Sequence, residues 1–294
     1  MDTPKNSTTA LPVTSSKSIL ITGCSSGIGR CVAQGLHARG YRVFATARKA
    51  ADVADLQSQG LESLLLDLDD PASIHTAVDE ILTRTGGTLD ALFNNAGYGQ
   101  PGAVEDLRRD VIRAQFETNL FGTLELTNRI IPIMRAQGQG RIIQNSSLLG
   151  LVALPYRGAY NASKFALEGL TDTLRLELAG SGIHVSLIEP GPIKSRFRAN
   201  AHAAYRRNIH PEHSAHRIRY QGLEKRLVKI GPAAPFTLPP EAVLKKVMHA
   251  LESPRPKMRY YVTLPSYFFA LIRRLLPGRA LDWVLQQISR GENR

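Results

Sequence analysis

Short, almost continuously apolar runs alternate with longer amphipathic stretches through the first two thirds of the chain. Such runs are typical of strands buried on both faces of a sheet. Apolar residues three or four positions apart, as in Ile74, Val78 and Ile81, indicate a helix with one buried face. The alternation predicts an α/β fold, with a single Rossmann-type, doubly wound parallel sheet of about seven strands and helices on both faces. The first six predicted strands are 18–22, 41–48, 64–66, 89–93, 140–147 and 184–189.

The two ends of the chain are less regular and set the predicted domain boundaries. Residues 1–16 are rich in Ser, Thr and Pro and are expected to form a flexible tail, so that one domain spans 17–294. Residues 194–231 show no clean strand or helix period before Leu223. A helix at 242–251, a seventh strand at 258–262 and an apolar, basic segment at 264–290 complete the chain.

A glycine-rich turn follows the first predicted strand. It reads Thr22-Gly23-Cys24-Ser25-Ser26-Gly27-Ile28-Gly29 and leads into a helical pattern that ends at Gly40. Glycines let the backbone approach a phosphate closely, and a helix N-terminus presents unpaired N–H groups and a partial positive charge. The spacing differs from the G-x-G-x-x-G fingerprint, whose third glycine would fall on Val32. The turn predicts a phosphate cradle, although a strand–helix turn that needs glycine for steric reasons looks the same.

The end of the second predicted strand bears on the choice of dinucleotide. An acidic residue there would bind the ribose 2′-hydroxyl of NAD, whereas arginine suits the 2′-phosphate of NADP. Here the strand ends in Arg48, and Lys49 follows. The sequence therefore favours NADP(H) as the cofactor over the alternative of an exposed basic turn.

Tyr160 and Lys164 are the residues most suited to acid–base chemistry. Four positions apart on a predicted helix, they lie on one face. A free tyrosine has a pKa of about 10, and a fixed ammonium group nearby would lower it toward the working pH of a general acid or base. Ser147, at the end of the fifth predicted strand, could hydrogen-bond a carbonyl or alcohol oxygen beside the phenol. Alone, the Tyr–Lys pair also fits a structural role.

Positive charge is concentrated in the last third of the chain. Residues 193–294 contain 20 Lys and Arg against 6 Asp and Glu, a net charge of +14 in a chain whose total is +12. Such a region could attract nucleic acid, an anionic membrane surface or an anionic cofactor, or could simply be solvated. The basic residues are not interleaved with aromatic ones as in a nucleic-acid-binding surface, so no nucleic acid partner is predicted.

The segment 267–276 is apolar, with a basic pair, Arg273 and Arg274, near its end. It is too short to span a bilayer. It could line an apolar substrate pocket, pack on another subunit or lie on a membrane surface. The sequence leaves these three roles open.

No spacing of cysteines or histidines indicates a metal site. Cys24 and Cys31 suggest neither metal ligation nor a disulfide framework, which fits a reducing cytoplasm. The first residues contain no apolar run of the kind found in a signal peptide. The histidines of the irregular stretch are expected to be solvated, namely His202, His210, His213 and His216.

Together these motifs resemble those of the short-chain dehydrogenase/reductase family. The resemblance covers residues 18–191. It rests on Thr22-Gly23-x-x-x-Gly27-x-Gly29, Asn94-Asn95-Ala96-Gly97, Asn119, Ser147, Tyr160-x-x-x-Lys164 and Pro190-Gly191. A finer similarity, to bacterial NADP-dependent aldehyde reductases near the hydroxysteroid and retinol dehydrogenase branch, rests on 186–193, 256–260 and 275–279.

The resemblance implies a role for each matched position. Tyr160 would be the general acid/base, and Lys164 would lower its pKa and hold the nicotinamide ribose. Ser147 would orient the substrate oxygen, and Asn119 would hold a water that links Lys164 to solvent. Ser195 departs from the family, which more often has threonine there. The implied cofactor contacts are Gly23, Ser25, Ser26, Gly27, Ile28, Gly29, Arg48, Asp67, Leu68, Asn95, Ala96, Gly97, Tyr160, Lys164, Pro190, Gly191, Ile193 and Ser195.

The resemblance also implies the activity and its setting. We expect NADP(H)-dependent, reversible reduction of a lipophilic aldehyde or ketone, without a metal, with residues 193–235 closing over the substrate as a lid. A cytoplasmic homo-oligomer, dimer or tetramer, is expected, with subunit contacts through the helices that carry Asn119 and Tyr160. Peripheral contact with a membrane stays open. The alternative is an NADP(H)-binding or membrane-peripheral module without turnover.

Overall fold

A computed structural model describes residues 16–232 and 234–292 of the chain, with side chains to Ser289. Apart from Ser16, the predicted flexible tail at 1–16 lies outside the described residues. The strands are β1 Ser18–Ile21, β2 Arg42–Ala47, β3 Glu62–Leu65, β4 Ala91–Asn94, β5 Gly140–Asn145, β6 Ile183–Glu189 and β7 Arg259–Tyr261. The helices are α1 Gly27–His37, α2 Ala50–Ser58, α3 Pro71–Thr85, α4 Arg109–Phe116, α5 Gly122–Gln137, α6 Gly158–Glu177, α7 Phe197–Asn208, α8 Arg217–Val228, α9 Glu241–Glu252, α10 Leu264–Leu275 and α11 Gly278–Glu292.

The described strands form one parallel sheet in the order β3-β2-β1-β4-β5-β6-β7. Chain order runs outward in both directions from the β1–β4 junction. In open α/β sheets this junction is the crevice where ligands bind, beyond the carboxyl ends of the strands. The prediction of a seven-stranded, doubly wound parallel sheet is therefore confirmed.

Successive side chains of the central strands face opposite helical layers, as strand geometry requires. In β1, Ile19 and Ile21 pack with α1 and α9, whereas Leu20 packs with α3 and α5. Because both faces are covered, the strands can be apolar throughout, and this produced the continuous runs in the sequence. The two layers hold the strand ends rigidly, and with them the loops that carry polar side chains.

Two segments differ from the sequence-based prediction. The third strand begins at Glu62 rather than at residue 64, and the Glu62 carboxylate accepts a hydrogen bond from Arg42 Nε at 2.6 Å across the pair. The stretch 194–231, predicted to be irregular before Leu223, forms α7 and α8. Up to Leu223 the buried residues are alanines and tyrosines, which gave no clear helical period in an arginine-rich background. The buried face consists of Ala201, Ala204, Tyr205, Tyr220, Leu223 and Leu227.

The last two helices cover the β7 side of the catalytic loops. Phe269 of α10 and Leu285 of α11 are buried against Leu148 and Leu149, which follow Ser147 in a short 3₁₀ turn. Among the described helices, none combines the length and the apolar character needed to cross a bilayer.

Candidate active site

The glycine turn between β1 and α1 has the shape that the sequence predicts for a phosphate cradle. Gly23 and Gly27 adopt left-handed backbone angles, with φ of 71° and 58°. A Cβ on Gly29 would lie 2.3 Å from the Gly23 carbonyl oxygen, so only glycine fits there. The first turn of α1 contains no acidic residue. The N-terminus of α1 can therefore accept the pyrophosphate of a dinucleotide.

Thr22 fixes this turn to the loop after β4, and the sequence analysis gave it no role of its own. Its hydroxyl oxygen accepts hydrogen bonds from the backbone N–H of Asn95 and of Ala96, both at 2.9 Å. Asn95 Nδ2 donates back to the Thr22 carbonyl at 2.9 Å. Its position directly before the glycines was the available signal. The closeness of the loops explains Gly23, whose Cβ would lie 2.8 Å from Ala96 Cα.

The two neighbouring asparagines after β4 have different surroundings. Asn94 is buried and donates through Nδ2 to Thr127 Oγ1 at 2.8 Å, which ties the end of β4 to α5. Asn95 accepts from Asn145 Nδ2 at 3.0 Å and links the ends of β4 and β5. A Cβ added to Gly97 would lie 3.1 Å from Asn119 Oδ1 and 3.9 Å from Lys164 Nζ. This loop thus joins the glycine turn to the catalytic residues.

Three of the implied cofactor contacts, Arg48, Asp67 and Leu68, follow β2 and β3. Arg48 is exposed directly after β2, and its neighbours in the chain are Ala47 and Lys49, so no carboxylate occupies the end of this strand. Asp67 is half-buried and accepts a hydrogen bond from the Asp69 N–H at 3.2 Å. Leu68 is buried, and its carbonyl packs so tightly on α5 that a Cβ at Gly122 would lie 1.9 Å from the oxygen.

The structure brings Ser147, Tyr160 and Lys164 together beyond β5. The Ser147 side chain hydrogen-bonds the Tyr160 phenol, and its hydroxyl oxygen also accepts from the Leu149 N–H at 3.1 Å. Lys164 is buried and donates through Nζ to the Asn145 carbonyl at 2.7 Å. The ammonium nitrogen lies 5.8 Å from the Tyr160 ring centroid.

The expected lowering of the Tyr160 pKa by Lys164 does not appear in this arrangement. Burial raises the pKa of Tyr160 to about 12, opposed by the hydrogen bond from Ser147. Burial also lowers the pKa of Lys164 to about 8, opposed by the charge of Glu168. The physical reason is that Lys164 points its ammonium at the Asn145 carbonyl, while the Tyr160 ring packs against an apolar cluster. Tyr160 is therefore protonated at neutral pH and suited to donate a proton.

Asn119 lies in a π-helical turn, Glu117–Phe121, between α4 and α5. Its amide clamps the backbone of Tyr98: Oδ1 accepts from the N–H at 3.1 Å, and Nδ2 donates to the carbonyl at 2.9 Å. Nδ2 also lies 3.2 Å from Ser163 Oγ. The wide turn lets a mid-helix asparagine face inward, and its observed partners position the loop beside Lys164.

The segment after β6 runs back over the glycine turn. Pro190 is buried, and its carbonyl accepts from the Leu148 N–H at 2.8 Å. A Cβ on Gly191 would lie 2.1 Å from Thr263 Oγ1. Ile193 forms a bridge to Leu238, and Ser195 lies so close to the turn that a Cβ on Gly27 would be 2.9 Å from Ser195 Cβ. Ile193 and Ser195 thus stand opposite the phosphate cradle.

Phe197, the first residue of α7, covers the catalytic tyrosine. Its ring meets that of Tyr160 edge-on, with the centroids 5.3 Å apart. A Cβ at Gly99 would lie 2.8 Å from the Phe197 ring. The sequence analysis missed this residue, although a lone aromatic side chain soon after β6 was a usable signal. Together with the apolar cluster around Leu149 and Leu154, Phe197 makes the surroundings of the phenol apolar.

A buried acidic cluster lies behind Lys164, one turn further along α6. Arg259 of β7 contacts both Glu168 and Glu189, and it donates to Asp172 at 2.6 Å. A Cβ on Gly150 would lie 2.7 Å from Ser146 Oγ and 3.0 Å from Glu168 Oε1, so glycine admits the carboxyl group. Burial and then the charge of Glu168 raise the pKa of Glu189 to about 8.

The outer side of this cluster opens on a cavity of about 530 Å³. Asp172, Arg259 and Arg273 line it. The cavity lies behind the catalytic residues rather than over them, so its size says nothing about the space available to a substrate at Tyr160.

Histidine, cysteine and carboxylate groups do not converge on a metal site anywhere in the part of the chain that the structure describes. Within residues 193–235, His202 and His216 both have an acidic partner, Glu224 for His202 and Glu105 for His216. His202 lies 3.3 Å from Glu224, and His216 hydrogen-bonds the Tyr156 phenol at 3.2 Å.

Comparison with known proteins identifies the family. The sequence profile of the family described as short chain dehydrogenase matches residues 17–206. The chain is 46% identical over 270 residues to the uncharacterized oxidoreductase YbbO of Escherichia coli K12, covering 92% of this chain and 94% of that protein. It is 32% identical to an NADPH-dependent 3-dehydrocapnine reductase of Ornithobacterium rhinotracheale, covering 90% and 94%. It is 34% identical to human 17-beta-hydroxysteroid dehydrogenase type 1, covering 88% and 80%.

These matches span the glycine turn, the Ser147–Tyr160–Lys164 site and, in all three relatives, most of the chain on either side. The observed seven-stranded parallel sheet is consistent with them. The protein is an oxidoreductase and belongs to the short-chain dehydrogenase/reductase family.

Proposed function

We propose that this protein reduces a lipophilic aldehyde or ketone to the alcohol with NADPH, reversibly. The single observation that carries the proposal is the meeting of Ser147, Tyr160 and Lys164 at the carboxyl edge of the sheet, next to a glycine turn that accepts a dinucleotide. A protonated phenol beside a serine hydroxyl is equipped to deliver a proton to an oxygen atom.

The chain's own residues perform the proton-transfer half of the reaction. When bound, the dinucleotide supplies the hydride to the carbonyl carbon. Ser147 donates a hydrogen bond to the carbonyl oxygen and stabilises the negative charge that develops there. Tyr160 donates its proton to that oxygen, which completes the alcohol. The buried ammonium of Lys164 stabilises the phenolate that remains until solvent returns a proton. In the oxidation direction the same groups act in reverse.

Several residues fit the dinucleotide. Gly23, Gly27 and Gly29 let the chain fold into a tight turn at the N-terminus of α1, where the pyrophosphate would be held. Ile193 and Ser195 follow β6, Ser195 lies against Gly27 of the turn, and by the family resemblance both would contact the nicotinamide carboxamide.

The basic side chain after β2 supports NADP(H) over NAD(H). Arg48 is exposed at the strand end where NAD-binding proteins place a carboxylate. The similar reductase from Ornithobacterium rhinotracheale is NADPH-dependent by name. We expect Arg48→Asp to raise the Kd for NADPH by at least about tenfold, because a charge-assisted contact is replaced by repulsion.

Fluorescence titration of both reduced cofactors measures this change. NADH should bind the variant as well as or better than the wild type. Arg39→Asp, which changes an exposed arginine at the end of α1 far from the β2 end, is the matched control and should alter neither affinity. An unchanged NADPH preference in Arg48→Asp would assign the 2′-phosphate to another residue.

The apolar surroundings of Tyr160 support a lipophilic substrate. Phe197 lies over the phenol, and Leu149 and Leu154 belong to the cluster against which Tyr160 packs. The similar human enzyme is a hydroxysteroid dehydrogenase by name, which is in keeping with an apolar carbonyl compound.

The experiment that tests the function combines a carbonyl panel with one substitution. Purified protein with NADPH is assayed on aliphatic, aromatic and steroid carbonyls by loss of absorbance from the reduced cofactor. Tyr160→Phe should lower kcat on any active substrate by a factor of about 10² to 10⁴, because a positioned general acid is lost. Its NADPH affinity should stay near that of the wild type.

Two outcomes would contradict the proposal in different ways. Retained turnover in Tyr160→Phe would reject the assigned acid. Tight NADPH binding without turnover on the whole panel would favour the alternative of a binding module. Tyr156→Phe is the matched control, since this nearby phenol contacts His216 rather than the catalytic residues.

A further inference from the structure

Helix α10 exposes an apolar stripe on the side that faces away from the protein. Its residues recur at spacings of three and four and so share one helical face about 100° wide. They are 46% to 68% exposed. We call this face the α10 stripe; it consists of Leu264, Tyr267, Phe268, Leu271 and Leu275. The opposite face, with Ser266, Phe269 and Ala270, is buried.

From this stripe and the charges around it, we propose that helix α10 docks on the surface of an anionic lipid bilayer. An amphipathic helix with leucine and aromatic residues on one face and basic residues beside it can lie in the plane of the membrane interface. Arg274 is exposed at the edge of the stripe, and Lys246 Nζ lies 3.4 Å from the Tyr267 hydroxyl. In the segment that follows, Arg279 and Asp282 are both exposed.

The charge of the C-terminal third of the chain is positive, as is the charge beside the α10 stripe. The net charge of +14 from residue 193 onward belongs to the part of the chain that includes α10. Attraction between basic residues near a surface and anionic lipids adds to the burial of apolar side chains. Charge complementarity therefore favours anionic over neutral lipid as the occupant of this face.

A second copy of the chain fits the α10 stripe less well. In a two-fold symmetric pair the same patch meets itself, so the basic residues that border the stripe on both copies would lie in one interface. Such a pairing would bring like charges together at the edge of an apolar contact, and like charges in close approach oppose association.

The inner face of α10 connects the stripe to the active site. Phe269 packs in the cluster that also contains Leu148 and Leu149, and the Tyr160 ring packs against this cluster. One helix, about 10 Å in diameter, thus separates the stripe from the apolar surroundings of the catalytic phenol. Docking through the stripe would hold the proposed site next to a bilayer in which lipophilic carbonyl compounds dissolve.

Vesicle sedimentation tests the proposal directly. The full-length wild type should sediment with vesicles that contain phosphatidylglycerol, and at least about tenfold less with pure phosphatidylcholine. The double variant Phe268→Glu/Leu271→Glu should lose sedimentation with the anionic vesicles. Arg274→Glu should weaken it about fivefold or more, and raised salt should weaken wild-type binding.

A matched control separates loss of the stripe from a general effect of added negative charge. Leu65→Glu/Ile218→Glu places two carboxylates at other exposed apolar positions, on β3 and α8. This variant should sediment as the wild type does, and both double variants should keep the wild-type melting temperature within a few degrees. If both double variants lose sedimentation with anionic vesicles to the same extent, membrane binding cannot be assigned to helix α10.

The chain's single tryptophan allows a second, site-specific measurement. Trp283 is the only Trp in the sequence, so Trp283→Phe/Phe268→Trp moves the reporter into the α10 stripe. With anionic vesicles its emission should shift to shorter wavelength and be quenched by brominated lipids. Trp283→Phe/Leu65→Trp, on the opposite edge of the sheet, should show neither change.

Two results would overturn the proposal. One is the absence of wild-type binding to anionic vesicles in both measurements. The other is a Phe268→Glu/Leu271→Glu variant that shrinks an oligomer in light scattering while vesicle binding is unchanged, which would assign the stripe to a second copy. Neither measurement depends on turnover, so the result stands apart from the outcome of the carbonyl assay.

Discussion

Lys164 is the residue whose charge links the site to pH. Burial lowers its pKa to about 8, and the main support for the charged form is Glu168, one helical turn away. Burial raises the pKa of Glu168 as it does that of the neighbouring Glu189, and the hydrogen bonds from Ser146 and Arg259 oppose the rise at Glu168 and so favour its carboxylate. Above about pH 8 the ammonium is lost, and with it the cation that stabilises the Tyr160 phenolate. Activity should therefore fall on the alkaline side.

Glu168→Gln should move this alkaline fall to lower pH. Without the carboxylate, the pKa of Lys164 drops further, by about one unit for a nearby opposite charge. The pH dependence of kcat measures the shift, and NADPH affinity as a function of pH gives a second reading that needs no turnover.

Asp172→Asn provides the matched control for this prediction. It also removes a carboxylate that pairs with Arg259, but Asp172 has no direct effect on Lys164. Its profile should follow the wild type. If the pH profiles of kcat for Glu168→Gln and the wild type coincide, Glu168 does not influence the pKa of Lys164.

For single residues, sequence spacing predicted that Tyr160 and Lys164 lie on one helical face, but it did not predict their electrostatics. Tyr160 and Lys164 share a helical face as the interval of four requires. The spacing of four residues does not determine where the Lys164 ammonium points. It donates to the Asn145 carbonyl, which belongs to β5 rather than to the same helix. Burial of the phenol is likewise a property of the packed cluster, so the direction of its pKa shift had to come from the structure.

Among the elements, the turn from β1 to α1 allows the least variation. Gly29→Ala should lower the free energy of unfolding by more than about 1 kcal/mol and abolish dinucleotide binding, because its Cβ would lie 2.3 Å from the Gly23 carbonyl oxygen and the turn must shift. Urea unfolding and NADPH titration measure the two effects.

Gly169→Ala is the matched control for this turn. Gly169 lies inside α6, where an added Cβ meets nothing within 4 Å. Alanine there should raise the free energy of unfolding by about 0.5–1 kcal/mol, since glycine costs that much in a helix interior. A stabilised Gly29→Ala variant with intact NADPH binding would contradict the close packing of the turn.

Elements whose apolar residues recur with a strong period could be predicted from the sequence, and elements with a weak period could not. Helix α3 begins at Pro71, with Asp70 accepting from the Ala72 N–H, so both its cap and its apolar stripe are visible in the sequence. Helix α2 buries only Leu56 and was not predicted. The π-helical turn at Asn119 depends on bonds to the Tyr98 backbone, which no local pattern records.

For the whole molecule, the outer surface of α5 and α6 is a second exposed apolar area. Its groove is lined by Leu120, Leu124, Leu167, Leu170 and Leu174, and Phe121 and Leu176 are exposed beside it. We expect two copies to pair through this face, as the resemblance implied for the helices that carry Asn119 and Tyr160.

Leu170→Glu should convert the dimer to a monomer in light scattering. The carboxylate would be buried without a partner in the pair, which strongly opposes association. Leu65→Glu, equally apolar and exposed at the far edge of the sheet, should leave the mass unchanged. A wild-type protein that is already monomeric at micromolar concentration would refute the pairing.

The sequence predicted where the candidate site lies in the fold, but it did not predict which helices lie over that site. Parallel strands carry their carboxyl ends to one edge, so motifs far apart in sequence had to meet there. The lid helices α7 and α8 add Phe197 from a stretch without a clear period, and the α10 stripe became recognisable only once its inner face had a partner.

Gly150 ties two distant positions of the chain together. Its missing side chain leaves the space that the Glu168 carboxyl occupies against Ser146. A side chain at 150 would expel that carboxyl, and without the carboxyl the space at 150 would be free to fill. In related chains, glycine at this position and glutamate at 168 should accordingly be inherited as a pair and lost as a pair.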